Sequence, residues 1–177
     1  MTAVFCVVGK KKSGKTTTVV GLVEELVARG YRVATAKHGH AFELDREGKD
    51  SFAHRRAGAT LTLLSGPEGF AMTGDWPQQE EPLETLIDRH VSDVDIVIAE
   101  GFKTSGYPRF EVYRIAAHTE PFYGSSGAGD GEYLAVLTDA SDFSAEVPVL
   151  DLNDPLSFRR VADLIQPAPS PTSKSDG

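Results

Sequence analysis

Gly9-Lys10-Lys11-Lys12-Ser13-Gly14-Lys15-Thr16 is the segment that most constrains what this chain can become. A glycine, four residues and then Gly-Lys-Thr is the pattern of a phosphate-binding loop, and it carries that meaning only between a strand and a helix. Both flanks are present. Ala3 to Val8 is a short, valine-rich apolar run suited to a strand buried on both faces. Thr16 to Arg29 places Val19, Val20, Leu22, Val23, Leu26 and Val27 at helical spacing, and Gly30 stands where a helix stops. Tyr31 to Ala36 reads as a second strand, which completes a right-handed βαβ unit of a parallel sheet.

The chemistry follows from the residue types. Glycines permit a tight turn whose successive amide N–H groups point inward as an anion nest, and the next helix adds its N-terminal amides and dipole. Gly9, Lys10, Lys12, Ser13, Gly14, Lys15, Thr16 and Thr17 are therefore candidate nucleotide-binding residues. Lys15 is placed to reach the β- and γ-phosphates and to stabilise charge on a transferred phosphoryl group, which gives it the catalytic role. The Thr16 hydroxyl is a suitable ligand for Mg²⁺, a hard cation that takes oxygen donors. Three lysines in a row either raise the local positive potential or face solvent. Lys10 also holds the place where one large P-loop class carries a second lysine that reaches a partner subunit's nucleotide.

A P-loop protein needs a carboxylate at a nearby strand end to hold the metal. Asp95-Ile96-Val97-Ile98-Ala99-Glu100 is a second apolar, β-branched run ending in an acid, so Glu100 is the candidate metal ligand with Thr16. Asp95 opens the run and belongs at its other end. Lys37-His38-Gly39-His40 follows the second strand and should emerge on the same edge, at the carboxyl ends of the strands. Lys37 and His38 are candidate ligand contacts; His-x-His without cysteine is weak evidence for zinc. Asp50 either positions water or magnesium, a catalytic role, or caps the helix that starts beside it.

Further elements are short. Ser51 to Ala57, Pro82 to His90 and Pro155 to Ile165 read as helices; Thr60 to Leu64, Phe70 to Thr73, Phe110 to Ile115, Leu134 to Leu137 and Val147 to Leu150 read as strands. Ala117 to Gly131 reads as a mobile surface loop, and the Pro- and Ser-rich tail 166–177 as disordered. The alternation predicts an α/β fold, a P-loop NTPase-type three-layer sandwich around a mostly parallel sheet, as one domain over 1–165. A chain of 177 residues is long enough for a real core. Its net charge of −8 argues against nucleic acid or an anionic membrane as the main partner. No run is long and apolar enough to span a bilayer. The lone cysteine, Cys6, fits a buried position and a reducing cytoplasm.

Taken together, the P-loop, Lys37-His38-x-His40, Asp45-x-x-Gly48-Lys49-Asp50-Ser51, Ala57-Gly58-Ala59, Glu100-Gly101-Phe102-Lys103 and Leu150-Asp151-Leu152-Asn153-Asp154 resemble the molybdopterin-guanine dinucleotide biosynthesis protein B family. They stand in family order through about residue 165. The resemblance implies a GTP-binding, weakly GTP-hydrolysing accessory protein of molybdenum cofactor biosynthesis, with Mg²⁺ as the metal. It implies assistance to the guanylyltransferase that attaches GMP to molybdopterin, contact with molybdopterin or its guanine dinucleotide, and a homodimer. The family loop usually carries small or polar residues in place of Lys10, Lys11 and Lys12. Guanine selection requires a carboxylate for N1–H and the 2-amino group. No Asn-Lys-x-Asp pattern is present; Asp139 is a candidate by position, and so are Asn153 with Asp154, although each also suits an ordinary turn. A P-loop small-molecule kinase and a nucleotide-gated, non-catalytic adaptor are the competing functions.

Overall fold

The structure, a computed structural model, describes residues 2–39, 46–76, 78–125 and 129–165. The contacts gather into two compact units, one from residues up to 38 together with those from 83 onward, the other from 39 to 82. The first holds β1 (Ala3–Val8), α1 (Lys15–Ala28), β2 (Val33–Lys37), α3 (Leu83–His90), β5 (Ile96–Glu100), β6 (Arg109–Tyr113), β7 (Tyr133–Thr138), β8 (Val149–Asp151) and α4 (Ser157–Leu164). The second holds α2 (Asp50–Arg56), β3 (Leu61–Gly66) and β4 (Gly69–Gly74).

The six strands of the first unit form one sheet in the order β2-β5-β1-β6-β7-β8, and every neighbouring pair is parallel. This is an α/β fold with helices on both faces. On one face Val19, Leu22 and Leu26 of α1 and Val161 and Ala162 of α4 pack on Phe5, Val7, Ile96, Ile98, Phe110 and Leu137. On the other, Leu83 and Ile87 of α3 pack on Val4, Cys6, Val8, Val97 and Ala99. Burial on both faces is why β1 and β5 read as unbroken apolar runs rather than alternating ones. The expected three layers are thus present. Strands β1 and β2 lie in the same sheet but are not adjacent, because β5 is inserted between them.

Element boundaries agree with the sequence to within about two residues at most ends, and β1 agrees at both. Within α1, Val20 and Val27 lie on the exposed face, so only part of the valine pattern marks the core. Past Ala28 the chain turns away at Gly30, φ 89°, where Gly30 N–H donates to the Val27 carbonyl and Tyr31 N–H to that of Leu26. Cys6 is fully buried, its sulfur 3.2 Å from the Ser105 hydroxyl, and burial pushes its thiol pKa up.

In the second unit β3 and β4 form an antiparallel hairpin, pairing from Leu61 with Gly74 to Gly66 with Gly69. Arg55 of α2 bridges to Asp75 at 3.0 Å. Among its described residues only Thr62 is buried, while Leu61, Leu63, Leu64, Phe70, Met72 and Trp76 are exposed.

Candidate functional site

The loop between β1 and α1 wraps as its residue types require. Gly9 has φ +150°, and a Cβ there would lie 2.3 Å from the Val112 carbonyl oxygen and 2.8 Å from the Ser13 hydroxyl, so no side chain fits. Gly14, at φ +104°, turns the chain into α1, and Lys12 also takes a left-handed conformation at φ 65°. Ser13 is buried with no hydrogen-bond partner for its hydroxyl, a polar atom aimed into the loop. Lys15 Nζ donates to the Lys10 carbonyl at 2.8 Å, so its ammonium lies across the loop it follows.

The parallel register brings the second acid to this loop. Val7 pairs with Glu100, and Lys37 pairs with Glu100 from the other side. As a result the Thr16 hydroxyl donates to both Glu100 carboxylate oxygens, at 3.0 Å each. Lys37 Nζ lies 2.8 Å from Glu100 Oε1 and 3.5 Å from Thr16 Oγ1. Thr16 and Glu100, from distant parts of the sequence, thus present oxygen donors to one point, the donor set that suits Mg²⁺. Burial holds the Lys15 ammonium below the usual lysine range; Glu100 opposes that shift and Lys37 adds to it.

The remaining predicted residues divide. Thr17 lies exposed in the first turn of α1. His38 N–H donates to the Glu100 carbonyl at 3.0 Å, and its ring sits 5.4 Å from that of Phe102. Lys10 Nζ stands 5.7 Å from the centre of the Phe122 ring, while Lys11 and Lys12 are exposed. Asp95 lies at the opposite end of β5, where its carboxylate accepts from Arg32 N–H at 2.8 Å. Asp139 follows β7 at the same sheet edge as the loop, but one of its oxygens accepts from Ile115 N–H at 2.9 Å. The backbone N–H groups of Asn153 and Leu156 donate to Asp151 and Asp154, so those acids shape the entry to α4. Asp50 is the exposed first residue of α2 in the second unit. His40 and Asp45 lie outside the described residues, as does the tail. Among the described residues no three His, Cys, Asp or Glu side chains gather as a metal set, and no helix is long and apolar enough to cross a membrane.

Three residues of the site's surroundings were missed by sequence reasoning, all on or just after β6. Arg109 is fully buried and donates to the carbonyls of Lys103 and Ser105, with the Tyr133 ring 5.6 Å away. Glu111 is buried, and its carboxylate accepts from the Phe122 and Tyr123 N–H groups at 2.6 and 2.7 Å. Burial raises the Glu111 pKa, while these two bonds and Lys10 resist the rise. Arg114 is half-buried at the end of the strand, 3.9 Å from Asp139.

Residues 4–139 match the family model described as molybdopterin guanine dinucleotide synthesis protein B. A molybdopterin-guanine dinucleotide biosynthesis adapter protein of Escherichia coli (strain K12) is 33% identical over 145 residues, covering 80% of this chain and 81% of that protein. One from Haemophilus influenzae is 32% identical over 165 residues, covering 90% and 85%. Among solved structures, Bacillus subtilis MobB superimposes with a TM-score of 0.72 at 24% identity, covering 93% of this chain and 98% of that one.

Proposed function

This chain belongs to the molybdopterin guanine dinucleotide synthesis protein B family, and we propose that it binds GTP with Mg²⁺ through residues 9–17, Lys37 and Glu100. The observation that carries this is the meeting of Thr16 and Glu100 at 3.0 Å beside a loop that only glycine at position 9 can close. When bound there, Mg²⁺ neutralises phosphate charge and fixes the geometry of the transferring group. The chain's own residues do the rest. Loop amides and the N-terminus of α1 hold the phosphate oxygens, and Lys15 leaves the Lys10 carbonyl for them. Desolvation of the Lys15 ammonium strengthens its attraction for phosphate. Asp139 is the guanine acceptor, its carboxylate taking the base N–H groups on acceptor sites left beside the Ile115 N–H it already accepts.

In the cell the protein serves as an accessory of molybdopterin guanine dinucleotide synthesis in the cytoplasm. It assists the guanylyltransferase and works close to molybdopterin or its guanine dinucleotide; its own GTP hydrolysis is slow. The relatives' description as adapter proteins favours a second reading, in which nucleotide sets the protein's shape and turnover is incidental. The assembly is a homodimer, and the uncovered apolar hairpin of the second unit supplies its contact surface. Calorimetric titration with GTP and ATP in Mg²⁺ tests the base assignment: GTP should bind at least about tenfold tighter, a difference of ~1.4 kcal/mol, and equal affinities refute it. GTP turnover measured with and without the transferase separates the slow enzyme from the adaptor.

A further inference from the structure

Four consecutive strand ends of the sheet line up beside the phosphate loop, and the residue on one of them has no role so far. The order is β5, β1, β6, β7. Glu100 ends β5, the phosphate loop follows β1, Arg114 follows β6, and Asp139 follows β7. Neighbouring strands lie about 4.8 Å apart, so the three steps from Glu100 to Asp139 span roughly 14 Å. That is the reach of a nucleotide laid along the edge, with its metal-bound terminal phosphate at β5 and its base at β7. Arg114 then stands between the loop and the base end.

The local geometry supports the placement. A Cβ built on Gly14 would lie 3.9 Å from Arg114 Nη2, so the guanidinium is beside the peptide that opens α1. The turn that carries Arg114 is tied at three points. The N–H groups of Ala117 and His118 donate to the Arg114 carbonyl, at 3.0 and 3.1 Å. The His118 ring meets the Lys11 carbonyl of the phosphate loop. Asp139 accepts from Ile115 N–H and lies 3.9 Å from the guanidinium. An always-charged fork, half-buried and held between the loop and β7, suits an anion approached from the side away from the metal.

We propose that Arg114 binds the inner part of a nucleoside di- or triphosphate, at the α-phosphate, and positions it between the loop and the base. The proposal rests on the nucleotide reading above and sharpens it: Arg114 acts on the phosphates that GDP and GTP share, not on the terminal one. Lys15, Thr16 and Glu100 hold the other end.

Calorimetry with GTP and with GDP, on the full chain and on Arg114→Ala and Arg114→Lys, tests it. Arg114→Ala should weaken both nucleotides by a similar factor, about tenfold to a hundredfold. Arg114→Lys should recover part of that loss, because it keeps the charge without the fork. Unchanged circular dichroism and melting temperature in both variants exclude misfolding as the cause. Wild-type affinity of Arg114→Ala for both nucleotides overturns the proposal while leaving GTP binding intact. A loss confined to GTP overturns it as well, by moving the contact to the terminal phosphate. Failure of the unaltered chain to bind either nucleotide would overturn the nucleotide reading and the proposal together.

Discussion

Strands β1 and β5 in the six-stranded unit are almost wholly buried, whereas strands β3 and β4 in the 39–82 unit contribute one buried residue between them, Thr62. Ten of the eleven residues of the first pair are apolar against six of the twelve of the second, and the fate of those apolar residues differs as well. Val7, Ile96, Ile98 and Ala99 meet helices of their own unit. Leu63 and Phe70 are 65% and 80% exposed. A two-stranded hairpin with exposed apolar faces is marginal by itself and invites a second surface. The proposed function divides along the same line: the nucleotide is assigned to the edge of the parallel sheet, and the homodimer contact to the exposed hairpin.

The largest effect that can break this division is at Lys15. Lys15→Ala should weaken GTP by about a hundredfold or more, since contacts to charged phosphate oxygens are lost, and should leave the oligomeric state as it was. Calorimetry and sedimentation equilibrium check the two halves. Next comes the hairpin. Leu63→Asp combined with Phe70→Asp should raise the dimer dissociation constant by about a hundredfold, with GTP affinity of the monomer within about twofold of the unaltered chain. If the hairpin variant lost GTP as fully as Lys15→Ala does, the two units would not be separate in function.

Smaller effects sharpen the physical account of the first unit. Gly21 of α1 faces α4, and a Cβ there would lie 2.5 Å from the Phe158 ring. Gly21→Ala should therefore destabilise by about 1–2 kcal/mol in urea unfolding, the overpacking cost outweighing the gain in helix propensity. A stabilised variant would show that α1 and α4 are less closely packed. The smallest effect is a pH slope from Glu111. Its folded pKa lies above the ordinary 4.5, so the folded state holds its proton longer than the unfolded chain. The stability linked to this group is complete below 4.5 and falls as pH rises through the folded value. Relative to Glu111→Gln, which cannot ionise, the unaltered chain should lose unfolding free energy over that window. A flat or rising difference would contradict the burial argument.

How far the sequence foretold this molecule depends on where each residue's partners lie. β1, α1 and Glu100 were legible because their signals are local: an apolar run, a glycine-lysine loop, an acid at a strand end. The sheet order was not, because nothing near β1 announces that β5 rather than β2 lies beside it. Arg109-Phe110-Glu111-Val112-Tyr113 alternates like a half-exposed strand, yet all five residues are buried. The carbonyls that take Arg109 and the N–H groups that satisfy Glu111 come from loops whose course no local pattern gives. Arg114 was missed for the same reason, since its neighbours Gly14 and Asp139 meet it only in the folded sheet. The hairpin was read correctly as two strands, but exposure is a property of packing, and its apolar residues look like core residues until the fold leaves them uncovered.

The most direct test of the central claim is to follow the backbone amides of the full chain by NMR while GTP and Mg²⁺ are added. Large shifts are expected at residues 9–17, smaller ones near Glu100, Arg114 and Asp139, and an undisturbed hairpin over 61–74. Saturating nucleotide with no change in residues 9–17, or with its main response in the hairpin, would contradict it.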